Sequence, residues 1–283
     1  MTVAALLDLG ADREKLEAVL SSLKEKTGGF EIKISDVQKS AIRACDFDVI
    51  LGEDNHDHDM NYLYGHEHGA EVHDHHHDHH HDHDHHHDHH HHHDHDHHHD
   101  HHHDHDHHHV HRNLQDVTDI INSAEMTDGA RELAIRVFTI VAEAEAAVHG
   151  RSIDEVHFHE VGAIDSIVDI VAAAVCYDDL AEKYELDGTV ITKLVDGTGT
   201  IRCQHGVLPV PVPAVLKIAE QTGVPISIAN RKGEYVTPTG AAFAAAVQTE
   251  NVLPDSFKVI RTGLGAGKRE HEVPGILRAL IIE

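Results

Sequence analysis

The chain has 283 residues, with 22 basic against 50 acidic side chains and a net charge of -28 when its 37 histidines are neutral. That acidic balance, with no basic cluster wider than Lys268-Arg269, argues against nucleic acid as a partner. No apolar run is long enough to span a bilayer and no secretion signal opens the chain, so neither a membrane partner nor export is expected; three scattered cysteines, Cys45, Cys176 and Cys203, fit a reducing cytoplasm.

In chain order, residues 2–8 and 13–26 read as helices, the second with Leu16, Val19, Leu20 and Leu23 at helical spacing and Gly28-Gly29 as its stop. Two β-branched runs, 30–37 and 41–51, read as paired strands. From His73 to His109 every residue is His or Asp, 27 His and 10 Asp over 37 positions. With no apolar side chain to bury, that tract has nothing to offset the entropy of ordering. The remaining 246 residues, with 40 acidic and 22 basic side chains, have an ordinary apolar fraction of about 46%.

Order is expected to resume near His111, with a helix around Val117–Ile121 and another from Ala130 to Val148 ended by Gly150. After that the pattern alternates: strand 156–158, helix 163–183, strands 189–195 and 200–203, helix 213–222, strand 225–228, helix 240–248, then strands 257–264 and 276–282. The fold class is α/β or α+β, a mixed sheet with flanking helices, interrupted by a disordered His/Asp-rich insertion. Residues 1–55 and 112–283 are expected to form one domain around the metal-binding insertion at 56–111.

The insertion carries the strongest chemical signal. Imidazoles such as His75, His76, His77, His85, His86 and His87, with Asp between them, offer interchangeable ligands for nickel, copper or zinc. A flexible run of this kind buffers or delivers metal and forms neither a closed structural site nor a catalytic one. The plain alternative is an inert solvated linker. Metal held by the tract should be lost as pH falls through the histidine range near ~6.5.

A second constellation runs from His157 to Asp169. In a strand His157 and His159 share a face, and in the following helix Asp165 and Asp169 are neighbours one turn apart, so two imidazoles, Glu160 and two carboxylates are expected to meet at a strand-to-helix junction. Each is also an ordinary polar surface residue. The third is Cys203-Gln204-His205-Gly206, followed by Pro209, Pro211 and Pro213, which force an extended, stiff segment holding Cys203 and His205 on one side; the alternative is a strand end and a rigid turn. Two weaker pieces suit phosphate: Thr237-Pro238-Thr239-Gly240 at a helix start, which is also a plain cap, and Gly263-Leu264-Gly265-Ala266-Gly267, which opens no helix and is no dinucleotide fingerprint.

The phrases HFHEVGAIDSIVDI at 157–170, HGVLPVPVPA at 205–214 and TPTGAA at 237–242, with Val148-His149-Gly150 and the opening ALLDLGAD at 5–12, resemble the LarC-like nickel insertion proteins of nickel-pincer cofactor biosynthesis. The resemblance runs from Met1 to about Glu283, and a His-rich insertion at this position is a family habit. It implies insertion of Ni2+ into pyridinium-3,5-bisthiocarboxylic acid mononucleotide, a lyase-class reaction dependent on CTP and on magnesium or manganese. The product serves lactate racemase and related acceptor enzymes. The chemistry of their side chains makes His157, His159, Asp169, Cys203 and His205 the expected metal handlers for that reaction. Glu160 and Asp165 are the catalytic carboxylates, and Thr237, Thr239 and Gly240 contact the substrate phosphate. Relative to the family pattern, an amino-terminal strand and Gly-containing loop are expected to be missing, as is a carboxy-terminal CTP-binding domain that a partner chain would supply. The other readings are a nickel or zinc storage protein or metallochaperone, such as one serving hydrogenase or urease assembly, and a truncated, inactive relative.

Overall fold

Gly10, at φ 111°, sits in the left-handed region that glycine enters without strain, and it ends α1 (Thr2–Leu9). Two residues later Asp12 caps α2 (Arg13–Thr27), its Oδ1 accepting from the Glu14 and Lys15 amides at 2.9 and 3.2 Å. The Leu16, Val19, Leu20, Leu23 stripe of α2 is buried, as its spacing predicts. Strands β1 (Phe30–Lys39) and β2 (Ile42–Leu51) then pair antiparallel across a two-residue turn, Ser40-Ala41, in which both residues have positive φ, the sense that matches strand twist. The structure, a computed structural model, describes residues 1–27, 29–51, 112–158, 161–203, 205–269 and 273–283. The insertion expected at 56–111, with His75, His76, His77, His85, His86 and His87, lies outside the described residues, as do His159 and Glu160.

The helical layer follows from its caps. Asn113 and Asp116 close a reciprocal capping box on α3 (Leu114–Ser123), and Thr127 caps α4 (Asp128–His149), which Gly150 ends at φ 62°. Between α4 and α5 (Ile164–Lys183) the expected strand at 156–158 is not formed. Ser152 and Glu155 instead cap each other around a 3₁₀ turn (Ile153–Glu155), and only a bridge between Arg112 and Phe158 remains. Phe158 is buried edge-to-face on Phe138 at 5.8 Å, so packing and local capping override the short β-like run.

β7 (Val259–Ala266) runs parallel to β2 and antiparallel to β8 (Ile276–Ile282), giving a mixed sheet in the order β1-β2-β7-β8. Gly263 and Gly265 let α1 lie directly on β7: a side chain at Gly263 would strike the Ala5 carbonyl and the Leu9 amide, and one at Gly265 the Met1 carbonyl and the Ala5 amide. A second, parallel pair joins β3 (Leu194–Thr198) to β6 (Ile226–Lys232), and β4 (Thr200–Cys203) forms a hairpin with β5 (Gly206–Pro209). The strand expected at 189–195 starts at Leu194; before it only Val190 bridges, to Glu250. Helices α6 (Pro213–Thr222) and α7 (Pro238–Val247) each begin with proline, whose fixed φ and missing N–H suit a first turn.

This is the mixed sheet with flanking helices that the alternating pattern predicts. Its core is continuous across the two sides of the insertion: Leu16, Leu20 and Leu23 of α2 share it with Ile121, Phe138 and Ile167, all essentially inaccessible to water. Each such side chain contributes about 1.5–3 kcal/mol of burial.

Candidate functional site

The last residue of α4 is His149, at the helix end where carbonyl dipoles favour a cation. Its Nε2 lies 3.4 Å from the Glu145 carboxylate one turn earlier. The β4–β5 hairpin carries His205 at its turn, and the two imidazoles face each other with ring centroids 5.1 Å apart and planes tilted by 34°. His149 also lines a cavity of about 90 Å³ with Arg151, Val156 and His157. Three imidazoles from three separate stretches are thus gathered around the end of α4. Among the described residues no three His, Cys, Asp or Glu side chains converge tightly enough to hold an ion by themselves.

Several sequence expectations change here. His157 precedes a bridge residue and is not in a strand, so strand alternation does not place it; its counterpart His159 and the carboxylate Glu160 are outside the described residues. Cys203 and His205 do not alternate along one extended segment. Cys203 ends β4, paired across the ladder with Gly206, and Gly206 at φ 89° allows the chain to reverse at His205. Cys203 is buried while His205 is exposed, so the two are not presented together. His149 was not among the expected ligands, although it stands in the family phrase Val148-His149-Gly150. A histidine closing a helix just before a glycine cap, with Glu145 one turn back, was the available signal.

Asp165 and Asp169 do lie one turn apart on α5, but Asp169 has other company. The groups acting on it are the Met1 amine, Asp165, Asp48 and Lys268. Water reaches Asp169, yet dense protein surrounds it; this burial pushes its carboxyl up to about 6, the Met1 amine opposing and Asp165 and Asp48 adding to the rise. Lys268 bridges Asp46 at 2.7 Å and Asp48 at 3.4 Å. A cavity of about 160 Å³ opens beside this region between α1 and the β1–β2 hairpin, where Arg43 pairs with Asp8 and Asp36 above Leu7, Ile34 and Cys45. Burial pushes the Cys45 and Cys176 thiols up, so neither is a thiolate near neutral pH.

At the start of α7 the cap is realised: Thr237 Oγ1 accepts from the Gly240 amide at 3.2 Å, and the Thr237 and Thr239 hydroxyls are 3.1 Å apart. The segment before it is fastened on two sides. Glu234, nearly buried, pairs with Arg269, and the buried Asp196 accepts from the amides of Gly197, Tyr235 and Val236 through Oδ1. Among the described residues Asp196 Oδ2 is buried with no hydrogen-bond partner. The second phosphate candidate is corrected by packing: Gly263 and Gly265 form the seat of α1, and their close approach to its backbone is what requires glycine there.

The family model described as nickel insertion protein matches residues 1–283. The chain belongs to the nickel insertion protein family. A pyridinium-3,5-bisthiocarboxylic acid mononucleotide nickel insertion protein of Alkaliphilus metalliredigens is 46% identical over 285 residues, covering 100% of this chain and 57% of that protein. Proteins of the same description are 42% identical in Clostridium acetobutylicum and 35% identical in Akkermansia muciniphila, again over all of this chain and over 61% and 57% of theirs. This member of the nickel insertion family therefore spans less than two thirds of the length of the curated relatives it matches. No solved structure matches it. Among its described residues no helix is long and apolar enough to cross a membrane.

Proposed function

We propose that this chain binds Ni2+ and takes part in its insertion into pyridinium-3,5-bisthiocarboxylic acid mononucleotide, forming the nickel-pincer cofactor of lactate racemase-type enzymes. The observation that carries the proposal is the gathering of His149, His157 and His205 at the end of α4, in a chain whose relatives are named for nickel insertion. The tract from His73 to His109 acts as a tethered ligand pool that raises local nickel concentration. The imidazoles of His157 and His205, with His159 two residues on from His157 in sequence, pass a single ion to the thiocarboxylate sulfurs. Sulfur is the softer donor, and a site poor in protein ligands releases nickel to it.

Joining nickel to the ring carbon between the thiocarboxylates releases a ring proton, a task for Glu160 or Asp165 as general base. Asp169 and Asp165 would hold a harder ion or orient the first, and Thr237, Thr239 and Gly240 would take the substrate phosphate at the α7 N-terminus. CTP and magnesium or manganese are assigned to the remaining length of the relatives, present in the cell on the same polypeptide or as a separate chain. Three free cysteines, all buried, suit a reducing cytoplasm.

The test is a transfer assay. The nickel-loaded chain is mixed with the bisthiocarboxylated pyridinium mononucleotide, with and without CTP, magnesium and a separately made carboxy-terminal portion of a relative, and the pincer product is followed by mass. Product is expected only in the complete mixture. Nickel that stays on the protein in every mixture would replace insertion by storage or metallochaperone function.

A further inference from the structure

Two imidazoles that bind one ion through nitrogens at about 2.0–2.1 Å have their ring centroids roughly 4.5–5.3 Å apart for coordination angles between about 90° and 110°. The His149 and His205 rings, at 5.1 Å, fall inside that window. They come from elements that share no local reason to bring them together: His149 is fixed by the end of α4 and its glycine cap, His205 by the turn of the β4–β5 hairpin. Ordinary ring packing gives little cause for the pair, since neither residue lies in the core and each gains little by leaving water. A third group completes the picture. Glu145, on the same face of α4 one turn earlier, sits 3.4 Å from His149 Nε2, a carboxylate-to-imidazole contact of the kind that orients a ligating ring.

We propose that His149 and His205 form a two-imidazole site for a borderline divalent cation, with Glu145 as the positioning residue of His149. This rests on the nickel-handling reading above and sharpens it: two protein nitrogens bind the ion while the rest of its coordination shell stays available to donors of an incoming ligand. Imidazole selects nickel, copper or zinc over magnesium or calcium, which prefer oxygen. The helix C-terminus behind His149 adds a favourable field for the cation.

The site is tested in the full chain, because the reporter must separate it from the His73–His109 tract. Paramagnetic Ni2+ is titrated into the 15N-labelled protein and broadening is read at the Gly150 and Gly206 amides, which flank the two histidines. Both are expected to broaden together in the wild type, and magnesium is expected to leave them unchanged. His149→Ala and His205→Ala should each abolish broadening at both positions, with the rest of the spectrum reporting intact folding. Glu145→Gln should raise the nickel concentration needed by about tenfold or more. Broadening that persists in either histidine variant, or is absent from the wild type, would overturn the paired site; an unchanged midpoint in Glu145→Gln would overturn its positioning role. A site that binds while the transfer assay yields no product leaves the pair standing and removes only the insertion reading.

Discussion

Two regions of the molecule handle polar chemistry in opposite ways. Around the end of α4 the donors are nitrogens, His149, His157 and His205, drawn from a helix end, a 3₁₀ exit and a hairpin turn. Along β2 and the start of α5 they are oxygens, Asp46, Asp48, Asp165 and Asp169, answered by Lys268. His157 and Asp169 belong to one run of thirteen residues, yet the fold gives them different neighbours. Nitrogen donors retain borderline metals and oxygen donors retain hard ones, so the two regions are not interchangeable parts of one ligand set.

The largest effect that would sharpen this contrast comes from the tract. Deleting His73–His109 should lower nickel stoichiometry by several ions in equilibrium dialysis, while the thermal melt stays where it was; a large loss of stability would show that the tract supports the core. Next, in the tract-deleted chain, His205→Ala should weaken nickel retention against a chelator by about tenfold or more, and Asp48→Asn should leave it unchanged. Equal losses from both would merge the two regions into one site.

A packing change separates them by stability. In Gly265→Val the new side chain meets the Met1 carbonyl and the Ala5 amide, so α1 must lift from β7. The urea midpoint should fall by the equivalent of about 1–3 kcal/mol, with the His149–His205 contact undisturbed.

The smallest effect is electrostatic. Asp169, normally at 3.8, is pushed up to about 6, so the folded chain holds this proton more tightly than the unfolded one. Its contribution is best below about pH 4 and worsens as pH rises to about 6, above which the deficit is complete. Asp169→Asn should therefore be more stable than the wild type at pH 7, by no more than about 1 kcal/mol given its contact with water, and no different near pH 3. A variant stabilised equally at both values would assign the gain to something other than charge.

Much of the fold was legible in local signals. The Leu16 to Leu23 stripe, the Gly150 stop, and Pro213 at a helix start each act within about one turn of chain, and all stand where the spacing places them. The run at 156–158 misled because its apolar alternation is too short to outweigh the Ser152–Glu155 caps and the burial of Phe158. The glycines of 263–267 read from the sequence only as a weak phosphate candidate, and the packing that requires glycine at 263 and 265 came into view once α1 lay across them.

The sequence by itself determined the helices and the β1–β2 hairpin, the acidic and histidine-rich character of the chain, and the phrases that mark its family. Only the tertiary structure decided that His149 meets His205, that Asp169 sits with Lys268 and Asp48, and that Cys203 is turned inward while His205 is not. Caps and periodicity are set by neighbours a few residues away. The convergence of donors depends on how α4, α5 and the β4–β5 hairpin share one core, and no local spacing encodes that.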